Sequence, residues 1–267
     1  MDTLSKLINQ DSIALDKRLL NSLQLSVNTV MQGSSVSVTQ IGRDSAQHRG
    51  ISEKHSIKRN DRLIGNYSLH GNRAEFYKTI CSQFINSDNP LILVDWSSVY
   101  NYNFVMIRAA LPIQGRAITI YEEVYPLSNH TSGKAHHHFL THLAKVLPKN
   151  VTPIICTDAG FKVPWCKEVD SLNWHWVTRV RGLVKYKKEE DSDWASAKDL
   201  YQYGTNRPKE LGTIQLSKAQ KYSCRSVIIK EKNKRRKKLN REGIVTKCYN
   251  NKRHSKSARE PWLLTTN

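Results

Sequence analysis

Acidic residues are scarce in this sequence: 23 Asp and Glu stand against 42 Lys and Arg, a formal charge of +19 with a pI near 9.8. Such a field draws phosphate backbones to the surface and releases their counterions, so nucleic acid is the default partner. Adhesion to a ribosome-like particle, an anionic membrane surface or simple solubility share that charge, and chemistry has to decide among them. The five cysteines, Cys81, Cys156, Cys166, Cys224 and Cys248, stand singly, and the lack of any Cys-x-x-Cys pair excludes the usual zinc ribbon or redox centre. Reduced thiols of a cytoplasmic protein fit best. No stretch of about eighteen consecutive apolar residues occurs, which excludes a membrane-spanning helix. The start, MDTLSKLINQDS, lacks a basic segment followed by an unbroken apolar run, so no export signal is expected. Internal repeats are absent as well.

What is present is enough apolar residue, 39% of 267, to bury a substantial core in about two compact units. From Leu4 to Val30 apolar residues recur at three- and four-residue steps, which predicts helices with one buried face. A short helix through Gln40 and Ile41 is expected to break at Gly50, and a third should cover His55 to Leu63. Its polar face would carry Lys54, Lys58, Arg59 and Arg62. Residues 1–85 thus read as an all-helical, helix-turn-helix-like DNA-binding region, with Lys58, Arg59 and Arg62 as contacts, or as an ordinary bundle with a solvated charged face.

The texture changes at Pro90. LILVDWS, FVMIRAALP and AITIYEEVYP read as three consecutive antiparallel strands. Residues 134–147 repeat Ala135, Phe139, Leu143 and Leu147 at four-residue steps and stop at Pro148, as an amphipathic helix does, and TPIICTD follows as a buried strand. Three strands, a crossover helix and a fourth strand is the order of a ribonuclease-H-like domain, so 86–162 is expected to be the first part of such an α/β core. Residues 163–259 read as a β-rich insertion containing the basic run 230–241, with Lys234, Arg235, Arg236, Lys237 and Lys238 as candidate DNA contacts. The run PWLLTT near the end reads as a fifth core strand spanning 260–267.

Two carboxylates follow apolar strands directly: Asp95 after LILV and Asp158 after IICT. A charge there is costly unless a metal or base pairs with it, although a lone strand-end Asp is more often a turn or helix cap. Paired carboxylates suit DNA cutting and joining, because two divalent ions held about 4 Å apart can activate a hydroxyl nucleophile and stabilise the leaving oxygen. Arg179 and Arg181 alternate on a probable strand and point to one face, where they could grip phosphate or pair with acids. His136, His137, His138 and His142 read as an exposed histidine-rich helix rather than a metal site, no acidic partner or cysteine being visible at ligand spacing. Trp96, Trp165, Trp174 and Trp176 read mainly as core, with base stacking as the alternative.

Several motifs occur in one order: IKRNDRLIGN at 57–66, VDWS at 94–97, QGRAITIYE at 114–122, YPLS at 125–128, TDAGF at 157–161, KVPW at 162–165, RVRG at 179–182 and EPWLLTTN at 260–267. Together they resemble the insertion-sequence-four family of bacterial transposases, of the Asp-Asp-Glu class. The resemblance implies a ribonuclease-H-like core, cut-and-paste DNA transposition with Mg2+ or, in its place, Mn2+, and an N-terminal region that helps bind terminal inverted repeats. It places Asp95 and Asp158 on the first two catalytic, metal-binding carboxylates. Transposon-end and target double-stranded DNA are the implied partners, oligomerisation on DNA is left open, and the setting is the bacterial cytoplasm and nucleoid.

One departure stands out. The family carries its third carboxylate on a helix after the last core strand, in the order Tyr, two residues, Arg, three residues, Glu, six residues, Lys. Tyr222 and Arg225 have the first spacing, but Ile229 holds the glutamate position, and Glu122, Glu123 and Glu260 lie in the wrong context. The expectation is therefore a C-terminally truncated chain, without the last core helix, that cleaves DNA little or not at all. The alternatives are a DNA-binding remnant or inhibitor of transposition without catalysis, and a structure-specific nuclease.

Overall fold

The computed structural model describes residues 15–99, 103–182, 184–230 and 260–267. The start of the expected first helix, through Ala14, lies outside them, as does the basic run holding Lys234, Arg235, Arg236, Lys237 and Lys238. The chain divides into two compact units, one of residues 1–86 and 143–149, the other of 87–142 and 150–267.

The first unit holds helices α1 (Lys17–Met31), α2 (Val38–Arg49), α3 (Glu53–Ile64), α4 (Tyr67–Gly71) and α5 (Arg73–Phe84). Asp16 caps α1 by accepting the Arg18 and Leu19 amides at 2.8 and 2.9 Å. Ser37 caps α2 through the Gln40 amide at 3.1 Å, and α2 ends where Gly50 turns left-handed at φ 63°. Gly42 sits where α2 crosses α3: a Cβ there would lie 2.6 Å from the Ile57 Cα. Polar pairs tie the helices together, Thr29 to Ser45 at 2.9 Å and Ser26 to Asn60 at 2.5 Å. Both sets are buried or nearly so, and mutual hydrogen bonding offsets the cost of removing them from water.

The second unit is a mixed α/β structure. Strands β1 (Leu91–Ser98), β2 (Phe104–Ile113) and β3 (Arg116–Pro126) form an antiparallel meander. Gln114 and Gly115, at φ 41° and 81°, make the tight turn between β2 and β3, the geometry a two-residue hairpin needs to match strand twist. Helix α6 (Gly133–Val146) leads to β4 (Ile154–Thr157), which pairs parallel with β1. Helix α7 (Val163–Ser171) then leads to β5 (His175–Val180), parallel to β4. Parallel neighbours need such crossovers, and these two helices supply them.

Beyond β5 the sheet continues with β10 (Trp262–Thr266), β9 (Tyr222–Ile229), β8 (Lys209–Leu216), β6 (Lys185–Lys188) and β7 (Ala195–Ser196), in that order. The full ten-strand order is β3-β2-β1-β4-β5-β10-β9-β8-β6-β7. This alters one sequence expectation. The run WHWVTRV, read as part of the insertion, supplies the strand beside β4, and PWLLTT lies outside it as an antiparallel partner. Both runs alternate apolar residues equally well. What separates them is the crossover: α7 carries the chain back to run parallel to β4, and its nine residues are too short and too polar to be obvious from periodicity.

One face of the sheet is the core. Ile92, Val94, Ile107, Ala109, Tyr121, Ile155, Trp176, Val180 and Leu263 are all buried on it. Phe139 of α6 is wholly buried with its ring 5.4 Å from that of Tyr121. Trp165 and Trp176 are 1% exposed and Trp174 is 8%, so the core reading of these tryptophans holds.

Candidate active site

Strand alternation puts Val94 and Trp96 on the core face of β1, and Leu93 and Asp95 on the opposite face, which borders solvent. The parallel register of β1 and β4 pairs Val94 with Thr157, so the next step sets Asp95 beside Asp158. The register of β4 and β5 pairs Thr157 with Thr178, and its next step sets Asp158 beside Arg179. On the other side Asp95 is paired with Arg108, and Arg108 with Glu122. One row of side chains therefore crosses five strands on the solvent face: Glu122, Arg108, Asp95, Asp158, Arg179.

The row is not electrically uniform. Arg108 turns away from Asp95 and gives its Nε hydrogen to Glu122 Oε2 at 2.8 Å. That leaves Asp95 facing Asp158. Burial and the neighbouring Asp158 charge hold the Asp95 carboxyl above the usual carboxylate range. Its Oδ1 accepts the Trp96 amide at 2.9 Å. Asp158 is fixed from both ends: the Gly160 amide donates to its Oδ1 at 2.8 Å, and the Thr178 hydroxyl donates to its main-chain carbonyl at 3.2 Å. A Cβ at Gly160 would come within 3.0 Å of that Oδ1, so glycine lets the amide approach.

Arg179 completes the site. Its guanidinium lies 4.8 Å from the centre of the Trp262 ring, an attractive cation–π geometry. Its Nε and Nη2 are shielded from solvent and have no hydrogen-bond partner among the described residues. Burial, then the charge of Arg181, shifts its acidity upward, so its pKa falls below the ordinary arginine value. Buried donors without partners are costly, and an anionic oxygen would satisfy them. Arg181 differs: its Nε donates to Glu260 at 3.1 Å, so of the two expected phosphate-gripping arginines one is held by an acid.

Two adjacent carboxylates are hard oxygen donors of the kind that Mg2+ and Mn2+ accept, and a dication would remove the repulsion that raises Asp95. The donor set thus fits the expected metal. In the helical unit Lys58, Arg59 and Arg62 line one concave surface together with Arg18, His55 and Asn66.

The histidine-rich helix is not uniformly exposed, contrary to the sequence expectation. His136 is 5% exposed, and its Nε2 lies 3.3 Å from the Trp96 Nε1. Burial pulls its pKa down to about 4, which leaves a neutral ring that can accept from the indole. An acidic partner also exists. Glu123, 6% exposed, faces α6 from β3 and meets His138 Nδ1 at 2.9 Å and His142 Nδ1 at 3.6 Å. Tyr121 and Tyr125 both donate to its carboxylate. Burial works to raise the Glu123 carboxyl, but these hydroxyls and His138 outweigh it and leave it below the usual range. The available signal was the spacing Tyr121, Glu123, Tyr125, which places all three on one strand face.

Among the described residues no helix is long and apolar enough to cross a membrane. Residues 116–260, more than half the chain, match the family model described as the transposase DDE domain; Asp158 lies within the match and Asp95 before it. No curated protein matches the sequence. Among solved structures, the crystal structure of Marinitoga piezophila Argonaute with 5′ OH guide RNA aligns with 94% of this chain and 45% of that one. The identity is 11% and the TM-score 0.29, too slight a likeness to carry an argument, and the chain spans less than half that protein's length.

Proposed function

We propose that this chain, which belongs to the transposase DDE domain family, acts in cut-and-paste DNA transposition with Asp95 and Asp158 as its metal-binding carboxylates. Within the family, the motifs from 57–66 to 260–267 support an assignment to the insertion-sequence-four group, with a likeness to the transposase of insertion sequence ten. The observation that carries the reading is the side-by-side emergence of Asp95 and Asp158 from neighbouring parallel strands on a solvent-facing surface. The strand order β3-β2-β1-β4-β5, with its parallel β1-β4-β5 portion, supports a ribonuclease-H-like core. Residues 1–85 are assigned to DNA end binding, 86–162 and the β5 strand to the core, and the strands from 185 to 229 to an insertion within it.

Asp95 and Asp158 would hold Mg2+ or Mn2+, which when bound supplies an activated hydroxyl and neutralises charge on the scissile phosphate. The chain's own groups do the rest. Arg179 offers two desolvated N–H groups to a phosphate oxygen, held in orientation by Trp262. The Gly160 amide keeps the Asp158 carboxylate from rotating away, and Thr178 anchors the Asp158 main chain. Lys58, Arg59 and Arg62 provide phosphate contacts along terminal-repeat duplex DNA, positioning it without reading sequence. The site of action is the bacterial nucleoid.

The test uses duplex DNA carrying the inverted repeats that flank the coding sequence, in gel retardation and in a Mg2+-dependent strand-cleavage assay. The expected result is salt-sensitive retardation by both the chain and its Asp95→Ala variant. Any strand cleavage, by this chain or by one continued past Asn267, is expected to require Asp95 and Asp158. Absence of retardation at moderate salt would overturn transposon-end binding. Equal Mg2+-dependent nicking of DNA without repeats would favour a structure-specific nuclease.

A further inference from the structure

The Glu123 cluster lies on the face of the sheet opposite Asp95, and the transposition reading leaves it without a task. Glu123 pairs across the sheet with Ile107, and Ile107 with Trp96, whereas Asp95 belongs to the neighbouring row on the solvent side. On α6, His138 and His142 are four residues apart and so occupy one helix face, their rings 4.1 Å apart between centres. One donor atom from each of Glu123, His138 and His142 lies within 4.8 Å of the other two.

We propose that Glu123, His138 and His142 form a binding site for a zinc-class transition-metal ion. Two imidazoles and one carboxylate are a donor set that tetrahedral Zn2+ accepts, with a fourth position left for water. Nitrogen donors also separate this site from the all-oxygen aspartate pair: imidazole favours Zn2+, Ni2+ or Cu2+, whereas Mg2+ prefers oxygen. The dimensions are suitable. Donors about 2.0–2.1 Å from a tetrahedral centre stand roughly 3.3 Å apart. His138 Nδ1 lies 2.9 Å from Glu123 Oε2 and His142 Nδ1 3.6 Å from its Oε1, and one donor atom from each residue already lies within 4.8 Å of the others, a gap that small side-chain rotations close.

The surroundings are those of a prepared ligand. A metal-binding carboxylate is normally held by outer hydrogen bonds, and the Tyr121 hydroxyl supplies one to Glu123 from the buried side. The Tyr125 hydroxyl donates to the other carboxylate oxygen and lies 3.0 Å from His138 Nδ1, a contact that binding through this nitrogen would exchange for the metal. The histidines close the solvent side, His138 being 56% and His142 35% exposed in their side chains, so an ion has an entry path. His142 Nδ1 lies 2.9 Å from the His138 carbonyl, a local contact that binding through this nitrogen would exchange for the metal. A bound ion would pin α6 to β3 independently of the Asp95–Asp158 pair.

The experiment is titration of the purified chain with Zn2+ against a chromophoric chelator, repeated with Co2+ and read in the visible spectrum. One ion per chain is expected, with Co2+ bands of a four-coordinate nitrogen–oxygen site. His138→Ala and His142→Ala should each weaken Zn2+ by at least about 10-fold, since losing an outer-shell partner alone costs roughly 10–100-fold. His137→Ala, whose ring pairs with Glu168 at 3.0 Å instead, should leave the affinity unchanged. Both histidine variants alter solvent-facing side chains, and circular dichroism checks their folding. Zn2+ affinity indifferent to both of them, or a sulfur-to-cobalt charge-transfer band marking a cysteine site, would overturn the proposal. Neither outcome bears on transposon-end binding, which is read by DNA retardation.

Discussion

Asp95→Asn is expected to stabilise the chain when metal is withheld. Neighbouring strands are about 4.8 Å apart, so the Asp95 and Asp158 carboxylates face each other across roughly 5 Å. Two like charges at that distance repel by about 1 kcal/mol in a water-like medium and by about 3 kcal/mol at an effective dielectric of ~20. Both side chains border solvent, so the lower figure applies. Asparagine keeps the shape and can still accept the Trp96 amide at Oδ1. Arg108 loses nothing, because its guanidinium is engaged by Glu122. A gain of about 1 kcal/mol corresponds to a Tm rise of roughly 2–4 °C in a domain of this size.

The pH dependence has a defined sign. The folded Asp95 carboxyl titrates above the ordinary carboxylate value of 3.8, so the folded state binds more protons than the unfolded one between 3.8 and that raised position. Stability therefore falls as pH rises through that window, and the penalty is fully present above it. The Asp95→Asn gain should appear at pH 7 in EDTA and vanish near pH 3, where both states are protonated. The assay is thermal melting by circular dichroism at the two pH values. An unchanged or lower Tm at pH 7, or an equal gain at pH 3, would refute the facing-carboxylate geometry.

Gly42→Ala should destabilise the helical unit by about 1–3 kcal/mol, as overpacking does, because its Cβ would strike the Ile57 backbone at 2.6 Å; urea unfolding followed by helix signal measures this. Replacing Lys58, Arg59 or Arg62 by Ala should lower DNA affinity for all sequences alike and reduce the salt slope by about 1 each; an unchanged slope in a retardation series would remove that residue from the interface. Burial pushes the Cys81, Cys166 and Cys224 thiols up to about 12, so they should react with a disulfide reagent only after unfolding. Rapid labelling of any of the three in the native chain, located by mass spectrometry, would contradict their placement.

The parts of the fold legible in the sequence are those whose signal is local. Alternation and short polar turns marked β1 to β3, the four-residue apolar step marked α6, and Gly50 marked the end of α2. What stayed hidden depends on partners distant in sequence. WHWVTRV and PWLLTT look alike until one is seen to run parallel to β4 and the other antiparallel beside it. Asp95 and Asp158 were readable as strand-end acids, but their adjacency is a property of register. Arg179 and Arg181 looked equivalent, and only the fold shows Glu260 holding one and Trp262 stacking on the other. Glu123 reads in sequence as one more acid in a strand, since nothing local to it points to histidines fifteen and nineteen residues away.

The most direct test of the aspartate pair is Mn2+ binding to the chain in the presence of terminal-repeat DNA, followed by electron paramagnetic resonance. A His138→Ala, His142→Ala background keeps the Glu123 cluster from contributing. Bound Mn2+ is expected to disappear in both Asp95→Ala and Asp158→Ala while DNA retardation persists. Mn2+ binding that survives either substitution unchanged would contradict the assignment of these two carboxylates.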